Sequence, residues 1–158
     1  MTVWYRVFGT SDVEPAAEAV LGHLQELDGA VRGSFSGDEQ GWFRAELVLV
    51  AEAEPTHLER YLATEEGIRG ELNAWAAWLE TAEDSPHHGR LMQHMVSTTQ
   101  LFTLPRPVVM GHDSLVERLC TGLCRFLAAA TTGVYQVDEQ GFFAADGTLL
   151  VQEKRPDS

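Results

Sequence analysis

Apolar and polar positions along the chain change period in a regular order. Residues 2–8 concentrate Val3, Trp4, Tyr5, Val7 and Phe8, a β-branched and aromatic run that predicts a strand. Gly9-Thr10-Ser11-Asp12 interrupts it. Ser11 or Asp12 is suited to cap a helix with Pro15 near its first turn. Ala17, Val20, Leu21, Leu24 and Leu27 then recur at helical spacing, and Asp28-Gly29 is the expected stop, with Gly29 in the left-handed position. Residues 30–36 predict a short strand and residues 42–51 a clear one. Phe43, Ala45, Leu47 and Leu49 alternate there against Trp42, Arg44, Glu46 and Val48. The glycines of 37–41 suit the turn between them.

Pro55 is read as opening a short helix that carries Leu58, Tyr61 and Leu62. A longer helix follows over about 65–82, capped by Thr64 and striped by Ile68, Leu72, Trp75 and Leu79 with Trp78 alongside. Glu65 and Arg69 are spaced for an i,i+4 pair. Residues 91–94 fit one helical turn, and 96–104 a strand ending at Pro105-Arg106-Pro107. Ser114-Leu115-Val116-Glu117 forms a capping box. It opens a helix with Val116, Leu119, Cys120, Leu123 and Leu127 inward. Strands follow at about 133–137, 141–144 and 148–153, the last two joined across Asp146-Gly147.

Asp38-Glu39-Gln40-Gly41-Trp42-Phe43 and Asp138-Glu139-Gln140-Gly141-Phe142-Phe143 occupy the same slot in this order and differ at one position of six. Turn chemistry alone does not require so close a match. The expected fold is therefore α+β, with two β-α-β-β (ferredoxin-like) halves as an internal pseudo-repeat and an inserted helical segment. The halves cover about 1–83 and 91–153 of one compact domain, joined by loop 84–90, with 154–158 as a frayed tail.

Composition narrows the function. Twenty-four acidic residues against 11 basic give a net charge of −13, and Lys154 is the only lysine. Such a surface repels nucleic acid and anionic membrane and favours a more basic protein partner. No stretch is apolar enough to span a bilayer, and residues 1–8 lack the pattern of a signal peptide. Cys120 and Cys124, one helical turn apart, are expected as buried thiols. These features predict a cytoplasmic protein.

Candidate chemistry is sparse. Trp4 and Arg6 share one strand face by alternation, as do Trp42, Arg44 and Glu46. If the two strands are neighbours, these five residues line a concavity for a small anion. Arg would supply a planar fork and Trp a flat wall. In the second half Phe142, Ala144 and Asp146 stand at the matching positions. His87, His88 and His94, with Asp84 upstream, crowd one segment but lack the spacing of a zinc motif. The paired carboxylates Asp38-Glu39 and Asp138-Glu139 are expected to be solvated. No nucleophile elbow, phosphate loop or dinucleotide fingerprint is present. The leading expectation is a small acidic, non-enzymatic binding protein with no metal or cofactor. The alternative is a small-anion binding protein or enzyme built on the Trp/Arg concavity.

Overall fold

The computed structural model describes residues 2–82 and 84–153. It is a mixed α+β structure with four helices and one eight-stranded antiparallel sheet. The elements are β1 (Trp4–Gly9), α1 (Ala17–Leu27), β2 (Arg32–Asp38), β3 (Gly41–Val48), β4 (Thr56–Leu62), α2 (Ile68–Glu80), α3 (His88–Ser97), β5 (Gln100–Pro105), α4 (Asp113–Ala130), β6 (Gly133–Val137), β7 (Gly141–Ala144) and β8 (Leu149–Gln152). The expected tail, 154–158, lies outside the described residues.

The strand order is β2-β3-β4-β5-β1-β6-β7-β8. Strand alternation gives the sheet two apolar faces, and a helix pair buries each one. Tyr5, Val7, Ala45, Leu47, Leu58, Phe102 and Tyr135 point to one face. There they meet Val20 and Leu24 of α1 and Leu119, Leu123 and Leu127 of α4. Phe8, Leu101, Val134, Phe142 and Val151 point to the other face, under Leu72 and Leu79 of α2 and Leu91 and Met95 of α3.

Both halves run β-α-β-β-β, with α2 and α3 between them. Their strands are not arranged alike. The central strands β1 and β5 pair with each other, but β5 is flanked by β4, the last strand of the first meander. β1 is flanked by β6, the first strand of the second meander. Exchanging the halves therefore does not reproduce the sheet.

Several local expectations give way to tertiary context. Residues 56–62 form a strand, not a helix: Thr56, Leu58 and Arg60 alternate inward between β3 and β5. The turn at 91–94 extends into all of α3, with Leu91 and Met95 a helical turn apart on the buried side. Helix ends also differ. Neither Thr64 nor Ser114 makes the expected cap; Gly67 precedes α2 with φ +85° and His112 precedes α4. α1 ends on Asp28 in extended conformation, so Gly29 plays no left-handed role. Arg69 does not pair with Glu65. Its guanidinium donates to the carbonyls of Met95, Val96 and Thr98, tying α2 to the end of α3.

Candidate functional site

The helices leave part of the α2/α3 face of the sheet bare. Across it, register aligns Arg44, Glu59, Thr103, Arg6 and Gln136 in one row on β3, β4, β5, β1 and β6. Arg44 pairs with Glu59 at 3.8 Å, and Glu46 with His57 at 3.3 Å, both at solvent-accessible positions where such contacts contribute little. Arg6 is held more firmly. Its Nη1 donates to Asp138 Oδ1 at 2.7 Å and to Gln136 Oε1 at 2.8 Å, and its guanidinium lies 5.1 Å from the Trp75 ring. Asp138 also accepts the Trp4 backbone N–H at 3.0 Å. Partial burial raises the Asp138 carboxyl pKa, but the bonds from Gln136, Arg6 and Trp4 outweigh it and hold the group below the usual carboxylate range.

Trp4, Arg6, Arg44 and Glu46 thus share one face of the sheet, but not one concavity. β1 and β3 are separated by β4 and β5, three inter-strand spacings or roughly 14 Å. Trp42 lies on the opposite face. The ladder steps from Ser36↔Arg44 to Gly37↔Trp42, so Phe43 is an extra bulged residue. That single residue reverses the direction of everything before it. The Trp42 indole is consequently buried under α1 and donates to the Pro15 carbonyl at 2.7 Å.

At the open end of that second face stands a residue that sequence reasoning did not single out. Arg60 is 5 % exposed, on the side of β4 that faces the core. Its Nε donates to Gln100 Oε1 at 2.8 Å and its Nη1 to the Trp42 carbonyl at 3.0 Å. Gln100 in turn donates to the Ser11 and Val13 carbonyls, fastening the loop between β1 and α1. Burial lowers the Arg60 pKa, while Glu14, Glu65 and Asp38 act through space to raise it. None of the three forms an ion pair with Arg60 among the described residues. Period-two alternation through Thr56, Leu58 and Arg60 was the available signal.

Arg60 and Trp42 floor a cleft of about 160 Å³, lined also by Asp38, Gln40, Phe43, Leu62 and Glu65. The loop after β1, the β2–β3 hairpin and the segment after β4 all meet at this end of the sheet. They bring Asp12, Glu14, Asp38, Glu39, Glu65 and Glu66 there, all exposed. Val13 and Phe43 project among them, 61 % and 47 % exposed.

Comparison with known protein families, with curated proteins and with solved structures finds no match.

The remaining sequence candidates are dispersed. His88 Nδ1 bonds the Ser85 carbonyl at 2.9 Å, His87 Nδ1 accepts from Arg90 at 3.3 Å, and His94 Nε2 donates to the Phe8 carbonyl at 2.8 Å. Among the described residues no three His, Cys, Asp or Glu side chains converge on a point that could hold a metal ion. Cys120 and Cys124 are free and buried in the α4 core. Burial pushes Cys120 up to about 12 and Cys124 well above its ordinary value, which leaves both as thiols. Among the described residues no helix is long and apolar enough to cross a membrane.

Proposed function

We propose that the protein is a non-enzymatic binding protein that docks a basic protein partner on the acidic end of its sheet. The observation that carries this reading is the grouping of six exposed carboxylates around Val13 and Phe43. Arg60, the cation beneath them, is already bonded to carbonyl and amide oxygens. A surface of this sign raises the association rate of a basic segment. The aromatic edge of Phe43 offers the dry contact that long-range charge alone does not provide. An arginine or lysine side chain at the rim of the 160 Å³ cleft would meet Asp38 and Glu65 at its walls, above the Arg60 guanidinium on its floor.

We also read the shared β-α-β-β-β order and the twin hairpin strings as an internal pseudo-repeat, descended from a ferredoxin-like half. On this reading the strand order of the two copies has diverged.

The test is an NMR titration of the whole chain with an arginine-rich peptide lacking acidic residues. Shifts should cluster at residues 38–43 and 62–66. Glu14→Lys combined with Glu65→Lys should weaken binding at least tenfold, and affinity should fall as salt screens the rim. If reversing Glu18 and Glu26 on α1 weakens binding equally, the acidity is generic and the proposal fails.

A further inference from the structure

A second cleft, of about 420 Å³, lies between α3, the last turn of α4 and the adjoining ends of β6 and β7. Leu91, Ala128, Ala129, Val134, Ala144 and Leu150 give it apolar walls, and Arg90, His94 and Thr132 are its polar members. Its size falls in the range of small-molecule sites, which are also mainly apolar with a few polar groups.

Three observations bear on what it would hold. Arg90 and His94 stand one helical turn apart on α3, so both side chains reach the same cleft. Arg90 has no carboxylate partner among the described residues of this acidic chain. Its Nη2 donates to His87 Nδ1 at 3.3 Å, which orients the guanidinium. His94 is kept neutral. Burial, joined by the charge of Arg90, holds it below its usual range against the opposing bond to Phe8. It thus adds a flat, uncharged wall and leaves Arg90 as the single cation. Finally, Thr132 at the rim has φ +51°, a left-handed conformation that is rare for a β-branched residue and tends to occur at functional sites.

We propose that this cleft binds a small aliphatic carboxylate, with the carboxylate on the Arg90 fork and the hydrocarbon body against Leu91, Val134 and Leu150. A planar guanidinium matches a carboxylate in two parallel hydrogen bonds. A neutral chain of the same length gains only the apolar contact, and an amine meets Arg90 as a like charge. This site shares no lining residue with the acidic cleft proposed for protein docking and stands or falls independently of it.

The experiment is calorimetric titration of the whole chain with octanoate, octan-1-ol and octylamine, with methyl NMR of Leu91, Val134 and Leu150 to locate the ligand. Octanoate should bind at least tenfold more tightly than octan-1-ol, and octylamine more weakly than either. Arg90→Gln should bring octanoate to the level of the alcohol. Ala129→Phe, at an exposed helix position, should fill the cleft and weaken octanoate and alcohol together by tenfold or more. Octanoate binding that survives both substitutions, or that leaves the three methyl groups unmoved, overturns the proposal. So does an absence of octanoate binding to the unaltered chain.

Discussion

The two near-identical hairpin strings end up on opposite faces of one sheet. In the first, Asp38 pairs directly with Gly41, two residues span the turn, and Trp42 points under α1. In the second, Val137 pairs with Gly141, three residues span the turn, and Phe142 points under α2. Trp42 is 5.2 Å from Phe35 and 5.8 Å from Phe102. Phe142 is packed by Trp75, Trp78 and Phe8. The first aspartate closes its own turn by accepting the Gln40 N–H, whereas the second reaches across to Arg6, Gln136 and Trp4. Identical local chemistry therefore specifies that a turn forms, and partner register decides which way its aromatic residue faces. The bulge at Phe43 supplies the one-residue difference.

The largest effects should come from emptying either aromatic position. Trp42→Ala and Phe142→Ala should each cost about 3–5 kcal/mol in denaturant unfolding. The two losses should differ in where they are felt. Without the Trp42 indole, the bond to Pro15 disappears and amide exchange should rise first in residues 10–16. Without Phe142, α2 loses the ring against which Trp75 and Trp78 pack, and exchange should rise first in α2. The same exchange pattern in both variants would show that the faces are not independent.

The paired glycines give a smaller and more asymmetric contrast. Gly41 has φ +110° and Gly141 φ +132°, conformations that side chains rarely adopt. A methyl group at Gly41 would strike the end of the Glu14 side chain, which can swing away. At Gly141 it would strike the Val151 carbonyl, fixed in the β7–β8 ladder. Gly141→Ala should cost about 3 kcal/mol and Gly41→Ala about 1–2 kcal/mol in the same assay. Equal losses would mean that backbone strain, not the neighbour, sets the cost.

Much of this fold was legible because period and turn chemistry agree over most of the chain. β1, α1, α4 and the β6–β7–β8 meander lie within a few residues of where alternation, helical spacing and Asp146-Gly147 place them. β4 is masked in the sequence because Leu58, Tyr61 and Leu62 also fit a helical stripe. The competing alternation runs through Arg60, a residue that is seldom buried and so hid the strand. The face of Trp42 was beyond the sequence for another reason: a bulge is a property of two strands, and its position in β3 depends on how β2 pairs. The candidate concavity depended on strand neighbours, which alternation does not supply. Alternation placed Trp4, Arg6, Arg44 and Glu46 on one face, but β4 and β5 stand between them. Arg90 carries no signal in the sequence because only residues 91–94 fit a helical turn there, whereas α3 begins at His88.

The finest contrast is electrostatic. Asp138 is less than one-third exposed and accepts three protein hydrogen bonds through its two oxygens. Its carboxyl titrates below the usual range in the fold because the lowering bonds exceed the raising effect of burial. The unfolded chain has the ordinary value, about 3.9. A carboxyl with a depressed folded pKa contributes stability that is fully present above the unfolded value and is lost as the pH falls through the folded one. Asp138→Asn should therefore destabilise the chain by about 1 kcal/mol at neutral pH, since the Arg6 bond is partly solvated. The same variant should flatten the fall in stability as the pH drops below about 4 in urea titrations across that acid limb. An unchanged acid limb would place the Arg6–Asp138 contact among the surface pairs that contribute nothing. The second hairpin's aspartate would then be no more than the turn residue that its twin at position 38 is.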